Sequence, residues 1–121
     1  MMTTSDIKTR LNDVLGFPVT PFHKDLSVDW QALDENLEEM ASHPFCTLVA
    51  AGGSGEMYSL TPEEIVDVVR VTVRSMGGRM PVIAGAGFNT VMAVSLSQRL
   101  EKIGADALLV ILHERPAGES P

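Results

Sequence analysis

Cysteine, tryptophan and tyrosine each occur once, and lysine only at Lys8, Lys24 and Lys102. The single cysteine, Cys46, excludes an internal disulfide framework and a multi-cysteine zinc site. Positive charge is also scarce, with 9 basic residues against 16 acidic ones and a formal net charge of −7. The basic residues are scattered and nearly free of aromatic neighbours. A nucleic-acid partner is therefore disfavoured, because phosphate contacts need clustered Lys and Arg. No apolar run approaches the roughly 20 residues that a membrane span needs, so no membrane partner is expected. Residues 1–13 are polar and carry no apolar signal core, which makes the cytoplasm the expected compartment.

The chain does have enough apolar material for one globular domain: 121 residues, 45% of them hydrophobic. The pattern alternates between short apolar runs and helical repeats. Val14 to Val19 reads as a strand, with Pro18 marking a strand end. A turn follows, then a helix from about Asp29 to Ser42, on which Trp30, Leu33, Leu37 and Met40 recur at helical spacing. Thr47 to Ala51 is a second strand. The next helix opens on Thr61-Pro62-Glu63-Glu64, which supplies an N-cap hydroxyl, a proline at the first helical position and a capping-box glutamate. Ile65, Val68, Val69, Thr72, Val73 and Met76 form its apolar stripe, and Gly77-Gly78 ends it. Pro81 to Ala84 is a third strand, closed by Gly85-Ala86-Gly87. Asn89 caps a third helix whose Ala93, Leu96, Leu100 and Ile103 face one way, and Ala107 to Leu112 is a fourth strand.

This order predicts consecutive right-handed βαβ units and a parallel sheet. The expected strands lie near 15–19, 47–51, 81–85 and 107–112. Residues 1–13 are a leading segment, in which Asp6 to Asp13 form either a short helix that plugs the bottom of a barrel or a disordered stretch. Residues 14–112 are the α/β domain, and 113–121, which lack apolar periodicity, are expected to be a disordered tail. Two architectures accommodate four such units: a small doubly wound sheet, or the first half of a (β/α)₈ barrel with strands in the order 1-2-3-4.

The segment most open to chemistry is Ala50-Ala51-Gly52-Gly53-Ser54-Gly55-Glu56, at the C-terminal end of strand two, where such folds place their sites. Glycines leave successive backbone N–H groups unobstructed, and Ser54 adds a hydroxyl, so the turn can cradle a carboxylate or phosphate. The same glycines suit a tight turn that binds nothing. The segment is neither a P-loop nor a dinucleotide fingerprint, because no Lys-Ser/Thr follows and the glycine spacing is wrong. His23 and His43 show no metal-ligand spacing, so no metal is expected. Cys46 reads as a small buried hydrophobe, and Glu56 as a residue near the following helix start.

Phe17-Pro18-Val19-Thr20, Ala50 to Glu56, Ser59-Leu60-Thr61-Pro62-Glu63-Glu64 and Pro81 to Gly87 together resemble the dihydrodipicolinate synthase / N-acetylneuraminate lyase superfamily. The double alanine before the glycines is most similar to its 5-dehydro-4-deoxyglucarate dehydratase branch. The resemblance implies a partial (β/α)₈ barrel and homo-oligomers. It also implies a lyase of glucarate catabolism, acting on a 2-oxo sugar acid through a Schiff-base lysine, with no cofactor. Carried over by position, Gly53 and Ser54 bind the substrate carboxylate. Thr20, Gly52, Gly55, Gly85 and Gly87 support the pocket, the last two by keeping the third loop low.

No catalytic residue is identifiable. All three lysines read as solvated surface groups, none on a strand, and Tyr58 does not match the family's catalytic tyrosine. Where the family has a Pro-x-Tyr-like motif after strand four, this sequence reads Leu112-His113-Glu114-Arg115. The expectation is a truncated dehydratase lacking its catalytic half, with open sheet edges that make it self-associate. The alternatives are another aldolase-type lyase of the same superfamily and a non-catalytic α/β anion-binding module.

Overall fold

A computed structural model describes residues 2–111. Its elements follow in the order α1 (Thr4–Arg10), β1 (Leu15–Gly16), α2 (Trp30–Ala41), β2 (Thr47–Ala50), α3 (Pro62–Met76), β3 (Val82–Gly87), α4 (Thr90–Lys102) and β4 (Ala107–Ile111). A single 3₁₀ turn, Met57–Ser59, lies between β2 and α3. The leading segment thus holds a short helix, but at Thr4–Arg10 and not from Asp6 to Asp13, because the Thr3 hydroxyl caps it by accepting from the Asp6 N–H. Leu112 and the tail 113–121 lie outside the described residues.

Each helix starts where its cap chemistry directs. In α3 the Thr61 hydroxyl accepts from the Glu64 N–H at 3.1 Å, and the Glu64 carboxylate accepts from the Thr61 N–H at 2.9 Å. Asp29 and Asn89 cap α2 and α4 by accepting from the N–H groups of Ala32 and Met92. These bonds satisfy donors that the first helical turn leaves unpaired.

The sheet has the order β1-β2-β3-β4, and every neighbouring pair is parallel. This is the half-barrel order and not the doubly wound one. Leu48, Ala50, Val82 and Ala84 meet Leu33, Leu37, Ile65, Val69, Leu96 and Leu100 of the helices in one buried cluster. Val49 and Ile83, neighbours in register, stand on the opposite face of the sheet. Two side-chain links, one buried and one half-buried, fix the strand starts. The Thr47 hydroxyl donates to the Pro81 carbonyl at 2.7 Å, and the Asp106 carboxylate accepts from the Val82 N–H at 2.9 Å.

The strand limits differ from the sequence reading in three places. The β1 ladder stops at Gly16, ahead of Pro18, which has no N–H to donate. At the end of β2 the chain turns away, because Ala51 adopts a left-handed conformation with φ 52°. β3 is longer than expected, running through Gly85-Ala86-Gly87, so these residues are strand and not loop. They are glycines and alanine because neighbours crowd them. A Cβ on Gly85 would lie 2.0 Å from the Ala51 carbonyl oxygen, and one on Gly87 would lie 2.7 Å from that of Ile111.

Two expectations follow. Gly85→Ala should lower stability by about 1–3 kcal/mol, since the Ala51 backbone just beyond β2 cannot yield to an added methyl. Gly53→Ala, whose Cβ would meet nothing within 4 Å, should be nearly neutral. Urea denaturation of both variants checks this, and equal losses would contradict it. The second concerns Glu63 at the start of α3, whose two carboxylate oxygens accept from Arg99 of α4 at 2.8 and 2.6 Å. That guanidinium holds the Glu63 carboxyl below its ordinary pKa. A depressed folded-state pKa stabilises above the unfolded value, and the stabilisation is lost as pH falls through the folded value. Glu63→Gln should therefore flatten part of the acid limb in a pH series of melting temperatures. An unchanged acid limb would remove the pair from the stability profile.

Candidate functional site

The C-terminal ends of β1 and β2 meet at the glycine segment. After Ala51 the chain makes a tight loop in which Glu56 N–H donates to the Gly53 carbonyl at 3.1 Å and Met57 N–H to the Gly52 carbonyl at 3.2 Å. Ala51 and Glu56, with φ of 52° and 57°, bracket the loop in left-handed conformations that non-glycine residues rarely adopt. Gly55 folds back on Ala51 so closely that a Cβ there would lie 3.0 Å from the Ala51 Cα.

Four neighbours hold this loop in place. Thr20, buried at the end of the segment after β1, donates its hydroxyl to the Gly55 carbonyl at 2.7 Å. Phe17 lies against Gly52, where a Cβ would approach its ring at 3.4 Å. Gly85 lets β3 pass under the Ala51 carbonyl, and Gly87 leaves room for the Met57 side chain, whose Cε would lie 2.8 Å from an added Cβ. The supporting residues read from the sequence thus gather around one loop. Gly85 and Gly87 act from within β3, by admitting the second loop rather than by lowering the third.

Gly53 and Ser54 form the exposed tip. The N–H groups of Gly53, Ser54 and Gly55 and the Ser54 hydroxyl make no hydrogen bond to the described residues. The tip therefore leaves a run of backbone donors and one hydroxyl unspent, with no charged side chain among Gly52 to Gly55. Glu56 is exposed, and its side chain caps nothing. The capping role belongs to Glu64.

The other candidates lie apart from the loop. Lys8, Lys24 and Lys102 are all exposed, and none is on a strand. Lys102 closes α4, which runs antiparallel to the strands, so it sits at the opposite end of the sheet from the glycine loop. Cys46 is half-buried rather than buried. Among the described residues no group of three His, Cys, Asp or Glu could hold a metal ion, and no helix is long and apolar enough to cross a membrane.

Three contributors escaped the sequence reading. Phe17 and Met57 shape the loop's two sides. Tyr58 donates its hydroxyl to the Ile111 carbonyl at 3.1 Å and packs edge-on against Phe88 at 5.4 Å. Tyr58 thereby ties the turn after the loop to the end of β4. The aromatic letter after the loop was visible in the sequence, but its partner lies 53 residues away.

Comparison with known proteins places the chain. The profile of the Dihydrodipicolinate synthetase family matches residues 10–112. A "Probable 5-dehydro-4-deoxyglucarate dehydratase" from Ralstonia nicotianae is 50% identical over 98 residues, 81% of this chain and 32% of that protein. One of the same name from Xanthomonas campestris is 46% identical over 97 residues, 80% of this chain and 32% of that protein. Among solved structures, dihydrodipicolinate synthase from Bacillus clausii superposes with a TM-score of 0.82 at 35% identity, over 84% of this chain and 35% of that one. That from Agrobacterium tumefaciens gives 0.81 at 30% identity, over 87% and 36%. The chain thus spans about a third of the length of the curated relatives it matches. It belongs to the dihydrodipicolinate synthetase family.

The geometry separates the loop's support from its working surface. Thr20→Val keeps the shape but leaves the Gly55 carbonyl without its donor, which should cost about 1–3 kcal/mol. Ser54→Ala removes an exposed, unpartnered hydroxyl and should change stability by less than about 0.5 kcal/mol. Denaturation midpoints of the two variants are the measurement, and a large loss in Ser54→Ala would give that hydroxyl a structural duty.

Proposed function

We propose that this member of the family carries the carboxylate-anchoring part of a 5-dehydro-4-deoxyglucarate dehydratase, a decarboxylating hydro-lyase of glucarate catabolism working through a Schiff base. The observation that carries this reading is the Gly52–Gly55 loop. It presents unspent N–H donors and the Ser54 hydroxyl at the C-terminal end of a parallel strand, in a chain whose relatives of that name are 40–50% identical. In the complete reaction a 2-oxo sugar acid loses water and carbon dioxide. A Schiff-base route needs the substrate carbonyl held at a fixed distance from an amine, and Gly53 and Ser54 anchor the neighbouring carboxylate without introducing a competing charge. Thr20, Gly52, Gly55, Gly85 and Gly87 hold that anchor. A small-molecule 2-oxo acid as partner, assembly into homo-oligomers and a cytoplasmic setting go with this reading.

The amine is not among the groups at the loop. Lys8, Lys24 and Lys102 are exposed, none stands on a strand, and Lys102 lies at the opposite end of the sheet from the loop. The 121-residue chain alone should therefore show no dehydratase activity, and borohydride with a 2-oxo acid should trap no stoichiometric adduct by mass spectrometry. A single adduct on one lysine would overturn this division of labour.

The function itself is tested by a chimera joining residues 2–111 to the part of the Ralstonia relative beyond its fourth strand. Turnover of 5-dehydro-4-deoxyglucarate is expected, falling about tenfold or more in Ser54→Ala, the scale of one lost hydrogen bond to a charged group. A folded chimera that turns over other 2-oxo acids but not this one would favour another lyase of the superfamily.

A further inference from the structure

Three successive strand ends converge on one aromatic side chain. Tyr58 stands on the 3₁₀ turn that leaves the glycine loop. Its hydroxyl donates to the Ile111 carbonyl, at the end of β4, at 3.1 Å. Its ring meets that of Phe88, the residue after β3, edge-on at 5.4 Å and 88°. Phe88 holds φ at 70°, a left-handed conformation that is costly for a bulky residue. The Ile111 carbonyl is also approached from β3, since a Cβ on Gly87 would lie 2.7 Å from its oxygen. The ends of β2, β3 and β4 are thus joined through Tyr58.

The other supports refer the loop to different strands. Thr20 and Phe17 set it against the segment after β1, and Gly85 and Gly87 set it against β3. Among the described residues, the Tyr58 hydroxyl gives the one side-chain hydrogen bond from this turn to β4. The turn is itself stiffly joined to the loop. Ser59 N–H donates to the Glu56 carbonyl at 2.8 Å, Met57 N–H to that of Gly52 at 3.2 Å and Glu56 N–H to that of Gly53 at 3.1 Å. A shift at Tyr58 is therefore passed through backbone to Gly52, Gly53 and Ser54.

We propose that Tyr58 is a positioning residue, which fixes the carboxylate anchor relative to β4. The inference rests on the function proposed above, in which the amine comes from beyond β4. The separation of the anchored carbonyl from that amine is then set across β4, on the side where Tyr58 makes its bond. Releasing the bond shifts the loop but leaves its donors as they are. Carboxylate binding then changes little, while chemistry that needs a set separation slows.

The test is Tyr58→Phe, which keeps the ring beside Phe88 and removes only the hydroxyl. In the chimera with the Ralstonia relative, kcat should fall about three- to tenfold, the scale of one net hydrogen bond. KM should change less than about twofold, the pattern of an interaction that serves the transition state and not binding. A rise in KM at unchanged kcat overturns the proposal, and so does no change in either. If the chimera turns over a different 2-oxo acid, the dehydratase reading fails, and the same division between kcat and KM is read on that acid. Amide exchange of the 121-residue chain reads the bond without any substrate. In Tyr58→Phe the Glu56 and Met57 N–H groups, bonded across the loop, should exchange about threefold faster or more, while Val69 N–H inside α3 should not. Unchanged protection at Glu56 and Met57 overturns the proposal whatever the chimera turns over.

Discussion

The close approach of Ala51 to Gly85 is the constraint on which the site depends. The Ala51 carbonyl oxygen occupies a point 2.0 Å from where any Cβ at position 85 would stand. Because that space is empty, β2 can end one residue early, Ala51 can turn into a left-handed conformation, and the glycine loop can lie down against β3. The other supports build on this placement. Thr20 can reach the Gly55 carbonyl only if Gly55 has folded back over Ala51, and Met57 can pack beside Gly87 only if the loop has already reversed direction. A larger residue at 85 would push the Ala51 carbonyl, and the loop that follows it, off β3.

Much of this frame was legible in the residues. The capping residues Asp29, Thr61 and Asn89 marked helix starts, since each carries a side chain able to accept the N–H groups that a first turn leaves unpaired. Continuous apolar strands separated by helical stripes implied a parallel sheet covered by helices, and the order 1-2-3-4 followed once the motif after strand two was placed beside the others. The strand limits were less legible because they depend on contacts between strands. Gly85-Ala86-Gly87 reads as a loop in isolation, yet it is strand, its small residues required by the Ala51 and Ile111 carbonyls and the Met57 side chain. Local patterns carry no information on such distant neighbours. For the same reason Tyr58 could be noted but not given a partner.

The glycine loop shows why a site can be strong in position and faint in composition. It contains no charged side chain at its tip. Its donors are backbone N–H groups, which have no rotamers to lose on binding and whose directions are fixed once the loop is held. Holding is done by Thr20, Phe17, Met57 and the two β3 glycines, each through contact with backbone or a neighbouring ring. A lysine or arginine could also attract a carboxylate, but on a flexible stem with rotamer freedom of its own. For chemistry that needs a carbonyl at a set distance from an amine on another strand, the rigid main-chain cradle is the better anchor. That amine need not come from the same third of the fold, since a barrel brings the C-terminal ends of all its strands to one mouth. On the function proposed above, anchor and amine lie far apart in sequence, so a chain whose three lysines are exposed can still supply the anchor.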